Sequence, residues 1–491
     1  MKPFLFPVFV LSLLFCFGQP AVVRAESWDS VQARGELRWG GDAAGGAPYV
    51  FPDSEDPNHM VGFEVDIMDA VAKKLGVKAV FVNVPWDQLV PALLRQDFDI
   101  AFNGLEITKN RLDVVDFTVP YYFFSEQITV RKENNTIQSW DDLAGKRVGT
   151  LSASYAQNLL EQNPAITAVT YPGQVEPYRD LDIGRVDAVL LDVPIAAFYV
   201  PMNPNLKNVG ATVGEGIYAG AVRKDSPELL AKINSALAEM IRSGELEAIY
   251  RKWNLWNARQ EKLAQASGEA ARNIRGKVAI AKYFPLLLKG AAVTVVLSFL
   301  SMALAVVLGF GLCLAKLYGN RPVRIFANSY IEIIRGTPLL IQLYLLYYGL
   351  PNLGIQLNAL TAAILGLGMN YSAYEAEIYR AGLLAVAKGQ QEAARCLGMS
   401  GWQTLRFVII PQAVRTVLPP STNDFIALFK DTSLVSIITV MELTRAYSQA
   451  ATTTYRFLEL GLLTALLYFL MSFPLSLWSR AMERKRHVLA Y

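Results

Sequence analysis

The sequence predicts two unlike parts in series: an α/β part, then an all-α part of five membrane helices. Three observations carry this. Of 491 residues, 53% are hydrophobic and only 18% charged, against roughly 25% charged in an average soluble domain. The charge is also unevenly placed: residues 1–282 hold 29 Lys or Arg and 34 Asp or Glu, whereas residues 283–491 hold 17 and 9, with long uncharged runs. Before residue 255, short apolar strands alternate with helical patterns, which is α/β spacing.

Residues 1–25 carry an export leader. Lys2 supplies its positive start, Phe4 to Phe17 its apolar core, and Val23-Arg24-Ala25 a small-residue cleavage site before Glu26. Bulky Phe15 before Cys16 argues against lipid attachment. Retained as an anchor, the core would fall short of the ~20 residues a spanning helix needs. Cleaved or retained, the leader exports the α/β part.

The exported part spans 26–255. Strands are expected at Ile100–Phe102, Arg147–Thr150 and Ala188–Leu191. Helices are expected at Val65–Leu75, Gln88–Arg95 and Ala156–Gln162. Pro227–Tyr250 is a further helix, with Pro227 at its start and Asp225 or Ser226 as cap. A polar, Ala-rich linker comes next over 256–283, as a frayed helix or a coil. As a coil it would reach on the order of 25–30 Å.

The membrane part covers 284–491. Its spans are expected at Leu286–Leu314, Pro338–Leu350 (extended backward by Ile325–Ile334), Leu357–Tyr374, Val414–Val440 and Phe457–Trp478. An odd number of spans with an exported start puts the C-terminus in the cytoplasm. The basic residues agree with the positive-inside rule. Lys316, Arg321 and Arg324 fall in the first loop, Lys388, Arg395 and Arg406 in the third, and Arg484, Lys485 and Arg486 in the tail. The second loop, 351–358, carries no charge. Glu375, Glu377, Arg380, Lys430 and Asp431 are expected near span ends, as structural or interfacial groups, since charges inside a bilayer are costly.

Several chemistries are excluded. His59 and His487 are the two histidines, at opposite ends of the chain, so a His-based metal site or a Ser/His/Asp relay is ruled out. Cys16, Cys313 and Cys396 lie in the leader or the membrane part, so no disulfide forms within the exported part. No GxxxxGK[ST] run supplies a phosphate-binding loop. No catalytic residue, metal, cofactor or nucleic-acid partner is expected for this chain.

Four blocks then carry a resemblance: GFEVDIMDAVAKKL, WDQLVPALLRQDFDIAFNGLEITKNRLDVVDFTVPYY, GKRVGTLSASYAQNLL and GRVDAVLLD. In this order, over about 36–253, they resemble the polar amino-acid family (family 3) of periplasmic binding proteins. The resemblance implies a bilobed periplasmic-binding domain of type II. Its first lobe would be 26–126 plus 219–255 and its second 130–216, closing on a free amino acid.

The implied ligand chemistry comes from the zwitterion. A carboxylate wants the planar two-donor fork of an arginine, and Arg111 matches the family's carboxylate-binding arginine. The α-ammonium wants a carboxylate, and Asp192 matches, with Asp187 as a rival better suited to a turn. Ser154 precedes an apolar helix and, besides capping it, could hold the carboxylate. Asn103 and Gly104 fall where the family exchanges backbone hydrogen bonds, and Trp86 where an aromatic packs on the ligand side chain. Two departures stand out. Gly45-Gly46-Ala47-Pro48 lacks an aromatic wall unless Tyr49 or Phe51 replaces it. Glu106 replaces a common Ser or Thr and, with Asp42, makes the pocket acidic, unless Lys109 ties it up. The acidic pocket points to Arg, Lys, His or Gln as ligand.

In the membrane part, Glu392-Ala393-Ala394, three residues, Gly398, nine residues and Val408-Ile409-Ile410-Pro411 resemble the EAA loop of ABC importer permeases. This coupling loop, 388–411, reads as a short helix, a Gly-permitted turn and a second helix. Arg335-Gly336-Thr337-Pro338, Tyr371–Ile378 and Lys430–Leu434 are similar to the His/Glu/Gln/Arg-type permeases. The two resemblances together imply a fused amino-acid importer subunit of a bacterial inner membrane, with the binding domain in the periplasm. They also imply a permease homodimer and a separate ABC ATPase subunit that binds ATP and Mg. A ligand-gated channel would insert its pore within the clamp rather than after it. A dehydratase on the same clamp is disfavoured by a cleft lacking His.

Overall fold

A computed structural model describes residues 28–44, 46–265 and 280–488. The expected leader lies outside the described residues, as does 266–279 of the expected linker. The chain divides into two compact units: Met1–Ser125 with Glu215–Arg275, and Glu126–Gly214 with Gly276–Tyr491.

The first unit is built on a five-stranded sheet. Its strands, in spatial order, are Lys78–Asn83, Glu36–Gly41, Ile100–Ala101, Ala221–Arg223 and Val115–Phe117. The helix Phe63–Leu75 buries Phe63, Ile67, Met68, Val71 and Ala72, an i, i+4, i+8 stripe turned to the core. Its continuation is the strand Lys78–Asn83, parallel to Glu36–Gly41. The chain then returns through the helix Leu89–Leu94 to Ile100–Ala101, on the opposite side of Glu36–Gly41. The winding therefore reverses beside Glu36–Gly41, and a crevice opens past the carboxyl ends of strands at such a point. Pro227–Ser243 is a helix with Pro227 at its first position and Ser226 at the cap position, without a side-chain cap bond.

The second unit begins with a sheet of the same design. Its order is Leu206–Tyr218, Tyr122–Arg131, Ala188–Asp192, Arg147–Leu151 and Thr167–Tyr171. Arg147–Leu151 pairs in parallel with Thr167–Tyr171 and with Ala188–Asp192, so the winding again reverses, here beside Arg147–Leu151. Ile128, Val130, Val148, Leu160, Ala188 and Leu190 form its core.

The same unit continues into the helical part. Among the described residues, two helices are long and apolar enough to cross a membrane, Ala281–Tyr318 and Phe457–Ala481. The other three expected spans have other bounds than the sequence suggested. The second is split into Arg321–Gly336 and a segment starting at Leu339. Pro338 has no N–H to give and drives Thr337 to extended backbone (φ −119°, ψ 140°). The third lengthens to Ala359–Leu384. The fourth starts earlier than expected and runs as Ile410–Asp431 with Pro419 and Pro420 inside it, then a 3₁₀ stretch over Thr432–Ile438. Leu297, Leu343, Leu367 and Val435 join these segments in one core.

One expectation is corrected here. Glu375 is not near a span end: it is fully buried well inside Ala359–Leu384, where it accepts a hydrogen bond from the Ser421 hydroxyl at 2.7 Å. A partnered carboxyl survives where an isolated charge would not. Glu377 is the interfacial kind, paired with Lys316 at 2.7 Å and Arg380 at 2.9 Å. Asp431 accepts from Tyr371 at 2.7 Å, and Asn370 donates to Gln342 at 3.1 Å.

Candidate functional site

In the first unit, the candidate residues gather past the carboxyl ends of the two strands that flank the winding reversal. Asp42 comes directly after Glu36–Gly41, and Asn103 soon after Ile100–Ala101. The Asp42 N–H donates to the Asn103 side-chain oxygen at 2.6 Å. The Asp42 carboxylate accepts from the Trp86 N–H and the Ala44 N–H, both at 2.8 Å. Asp42 thus braces Trp86 with the charge that was expected to acidify the pocket.

Arg111 is buried, on the short helix Lys109–Leu112 capped by Thr108. Its guanidinium carbon lies 5.3 Å from the centre of the Trp86 ring, within cation–π range. It donates to the Glu106 backbone oxygen at 2.9 Å and to the Glu106 carboxylate. Both side chains are almost fully buried, 4% and 3% exposed. The partner foreseen for Glu106, Lys109, is therefore displaced by Arg111. A guanidinium already in place offers more than a flexible ammonium, since its planar fork can serve two carboxylates.

Gly104 has φ +59°, and a Cβ there would stand 2.7 Å from the Tyr49 ring. Its N–H is spent on the Glu64 carboxyl at 2.7 Å, which leaves its carbonyl as the group available to a ligand. Glu64 is a component that the sequence shows only as part of a helix start. It is fully buried and also accepts the Tyr121 hydroxyl at 2.5 Å. Burial pushes its carboxyl up to about 8, against the pull of hydrogen bonds from Tyr121, Gly104 and Asn103. The two candidate aromatic walls have other tasks. The Tyr49 hydroxyl bonds that of Tyr218 at 2.8 Å, and Phe51 stands edge-on to Trp253.

In the second unit, the corresponding strand ends carry Ser154 and Asp192. Ser154 caps the helix Tyr155–Glu161: its hydroxyl accepts from the Gln157 N–H at 3.2 Å and donates to the Leu151 oxygen at 2.8 Å. Asp192 ends the strand Ala188–Asp192 and is only 6% exposed. Directly across the antiparallel pair stands Glu126, fully buried. Opposed residues share one face of a sheet, so two carboxylates sit together, a setting that favours a cation. The hydroxyl of nearby Tyr178 is raised, chiefly by burial, with the Asp192 and Glu126 charges adding to it. Glu126 was missed; its signal was a charged residue inside the apolar run Tyr121–Val130. Asp187 is a turn residue, with its carboxylate on the Arg147 N–H at 2.8 Å.

The expected coupling segment folds as a helix, a turn and a helix. Lys388–Cys396 carries Glu392, Ala393 and Ala394; Glu392 is exposed and Ala394 buried. Gly398 turns the chain at φ 77°, a left-handed conformation that a side chain resists. Ser400 and Gln403 then form a reciprocal capping box, and the chain continues through Pro411 into Ile410–Asp431. Leu397 and Trp402, on either side of the turn, are 83% and 62% exposed.

Comparison with known proteins matches both parts. Residues 37–255 match the bacterial extracellular solute-binding proteins, family 3. Residues 305–488 match the inner membrane component of binding-protein-dependent transport systems. The probable amino-acid ABC transporter permease YckA of Bacillus subtilis (strain 168) is 39% identical over 202 residues, 41% of this chain and 89% of that protein. The glutamine transport permease GlnP of Escherichia coli (strain K12) is 38% identical over 207 residues, 42% of this chain and 94% of that protein. Among solved structures, an ancestral arginine-binding protein bound to glutamine is 39% identical, covering 45% of this chain and 99% of its own, with a TM-score of 0.43. The chain therefore belongs to the amino-acid ABC transporter permeases, with a family 3 solute-binding domain fused ahead of its permease region.

Proposed function

We propose that this chain is the capture and pathway subunit of an importer for a polar amino acid, powered by a separate ATPase chain that binds ATP and Mg. One observation carries the reading. Two sheets of the same winding each present a charged group past the strand ends: Arg111 in one, Asp192 in the other. Arg111 takes the α-carboxylate and Asp192 the α-ammonium, with Ser154 and the Gly104 carbonyl as further contacts. Ligand binding then shifts the population toward the state in which both charges hold it. Because Glu106 is bound to Arg111, the side chain meets less net negative charge than the sequence suggested. Arg, Lys, His and Gln all remain candidates, and relatives named for glutamine and for arginine transport fit that range.

The lysine and arginine bias supports a periplasmic binding domain and a cytoplasmic C-terminus. The exposed Leu397 and Trp402 suit a coupling segment that inserts into a groove on the ATPase, and one permease fold per chain implies a homodimer. The test is uptake by proteoliposomes holding the chain and its ATPase, beside competition binding with Arg, Lys, Gln and Glu. Uptake that needs ATP, with Glu the weakest competitor, is expected. Tightest binding of Glu would overturn the substrate assignment. Uptake that persists without the ATPase would overturn the importer.

A further inference from the structure

The second unit contains the exported sheet and the membrane helices together, and one set of contacts between them includes a loop of the sheet. Ser152-Ala153-Ser154 connects the strand Arg147–Leu151 to the helix that Ser154 caps. Ala153 sits in the left-handed region at φ 58°, a conformation that residues other than glycine rarely take. From the membrane side, the helix Leu443–Thr454 reaches it directly through Arg445 and, by way of Glu161 and Gln157, through Gln449. Arg445 donates to the Ser152 hydroxyl at 3.0 Å and to the Thr170 backbone oxygen at 2.9 Å. One turn further, on the same helix face, Gln449 donates to Glu161 at 2.9 Å. Glu161 in turn accepts from Gln157 at 2.7 Å, and the Gln157 oxygen accepts from the Ala153 N–H at 2.7 Å.

Arg445 is itself held in place. Glu442 accepts from the N–H groups of Thr444 at 2.7 Å and Arg445 at 2.6 Å, which caps the helix. A second contact anchors the sheet elsewhere. Arg185 stacks 3.8 Å over the Tyr347 ring, donates to the Tyr347 backbone oxygen at 2.7 Å, and pairs with buried Asp180, which also accepts the Tyr347 hydroxyl at 3.0 Å.

From this we infer that Leu443–Thr454 reads the ligand loop: Arg445 holds Ser152 directly, Gln449 holds the loop through Glu161 and Gln157, and Arg185 keeps that lobe seated on its own chain's membrane helices. The inference rests on the reading of this chain as capture and pathway subunit, in which Ser154 lies at the bound amino acid. A ligand that alters the loop then alters the grip, with no need for the lobe to leave the membrane part. Arg445 is a positioning residue here, acting through its bonds to Ser152 and Thr170.

The experiment uses the full chain with its ATPase in nanodiscs, with Cys16, Cys313 and Cys396 replaced by serine. Ser152→Cys and Arg445→Cys are joined by a short bifunctional maleimide, and a protease site in 266–279 is then cut. Contact within one chain keeps the two fragments in one band. Cross-linking seen only between differently tagged chains overturns the seated lobe. Separately, Arg445→Gln and Gln449→Ala should bind amino acids within about threefold of the parent, yet lose tenfold or more of ligand-stimulated ATP hydrolysis. Arg445→Lys should recover part of it. Unchanged stimulation in Arg445→Gln overturns the inference while leaving the importer intact, whereas a parent chain that binds no amino acid overturns the importer itself.

Discussion

The guanidinium of Arg111 is bound to the carboxylate of Glu106, and both are buried beside Trp86. The group best suited to a ligand carboxylate is therefore already neutralised by a protein carboxylate. Removing one partner of such a pair leaves an unpaired buried charge, at a cost of about 3–5 kcal/mol. Glu106→Gln should lower the melting temperature of the unliganded chain, and ligand should restore more stability than it adds to the parent. The freed fork should also welcome negative charge. Glutamate binding is expected to gain at least tenfold relative to arginine, read by competition titration; an unchanged Glu-to-Arg ratio would show that Glu106 does not face the ligand.

Glu64 makes the stability of the first unit depend on pH. Its carboxyl titrates at about 8 in the fold, against about 4.3 in an unfolded chain. Between those values the folded chain keeps a proton that the unfolded chain releases, so stability is full below about pH 4.3 and falls as pH rises to about 8. The loss is on the order of a few kcal/mol. Glu64→Gln keeps a neutral acceptor for Gly104 and Tyr121, so its thermal unfolding should be flatter from pH 5 to 9, and the variant should be the more stable chain at pH 8.5. Parallel curves for parent and variant would refute this.

Gly104 is needed both for its backbone and for its lack of a side chain. Alanine would face strain of about 1–2 kcal/mol at φ +59° and would press on the Tyr49 ring, itself held by the Tyr218 hydroxyl and packed on Phe63. Gly104→Ala should lose stability and at least tenfold in affinity. Gly76→Ala is the control, since φ there is +73° but nothing lies within 4 Å of the added atom. It should lose stability with no change in affinity, and equal affinity in both variants would remove Gly104 from the site.

The parts of the site that the sequence made legible are those whose chemistry is local. Arg111 and Asp192 are picked out by the family motifs that flank them, with types that suit a zwitterion, and Gly398 by a tight turn that favours glycine. The helix of Glu64 was recognised, but a carboxyl on its buried face shows its role only once Gly104 and Tyr121 are folded against it, 40 and 57 residues away. Arg445 gave no local signal at all: its partners Ser152 and Thr170 are 293 and 275 residues distant. The broken second span was written in Thr337-Pro338: the expected span starts at Pro338, with Ile325–Ile334 only a backward extension. Glu375 was misplaced because the charge rule ignores a partner such as Ser421.

The exposed surface of the coupling segment supplies the sharpest separation of function from folding. Leu397 is 83% exposed and Glu392 is also exposed, so neither contributes a buried contact whose loss would unfold the chain; such surface changes are usually worth within about 0.5 kcal/mol. A leucine left in water beside a rigid turn has a use if another chain covers it. Leu397→Asp places a charge where that chain would have to desolvate it, and Glu392→Ala removes a rim charge. Melting temperature and amino-acid affinity should stay at parent values in both. Co-purification of the ATPase should fail in Leu397→Asp, uptake should fall tenfold or more, and Glu392→Ala should give a smaller, salt-dependent loss. If Leu397→Asp still holds its ATPase and transports normally, the segment 388–411 is not the contact and the energy must enter the chain elsewhere.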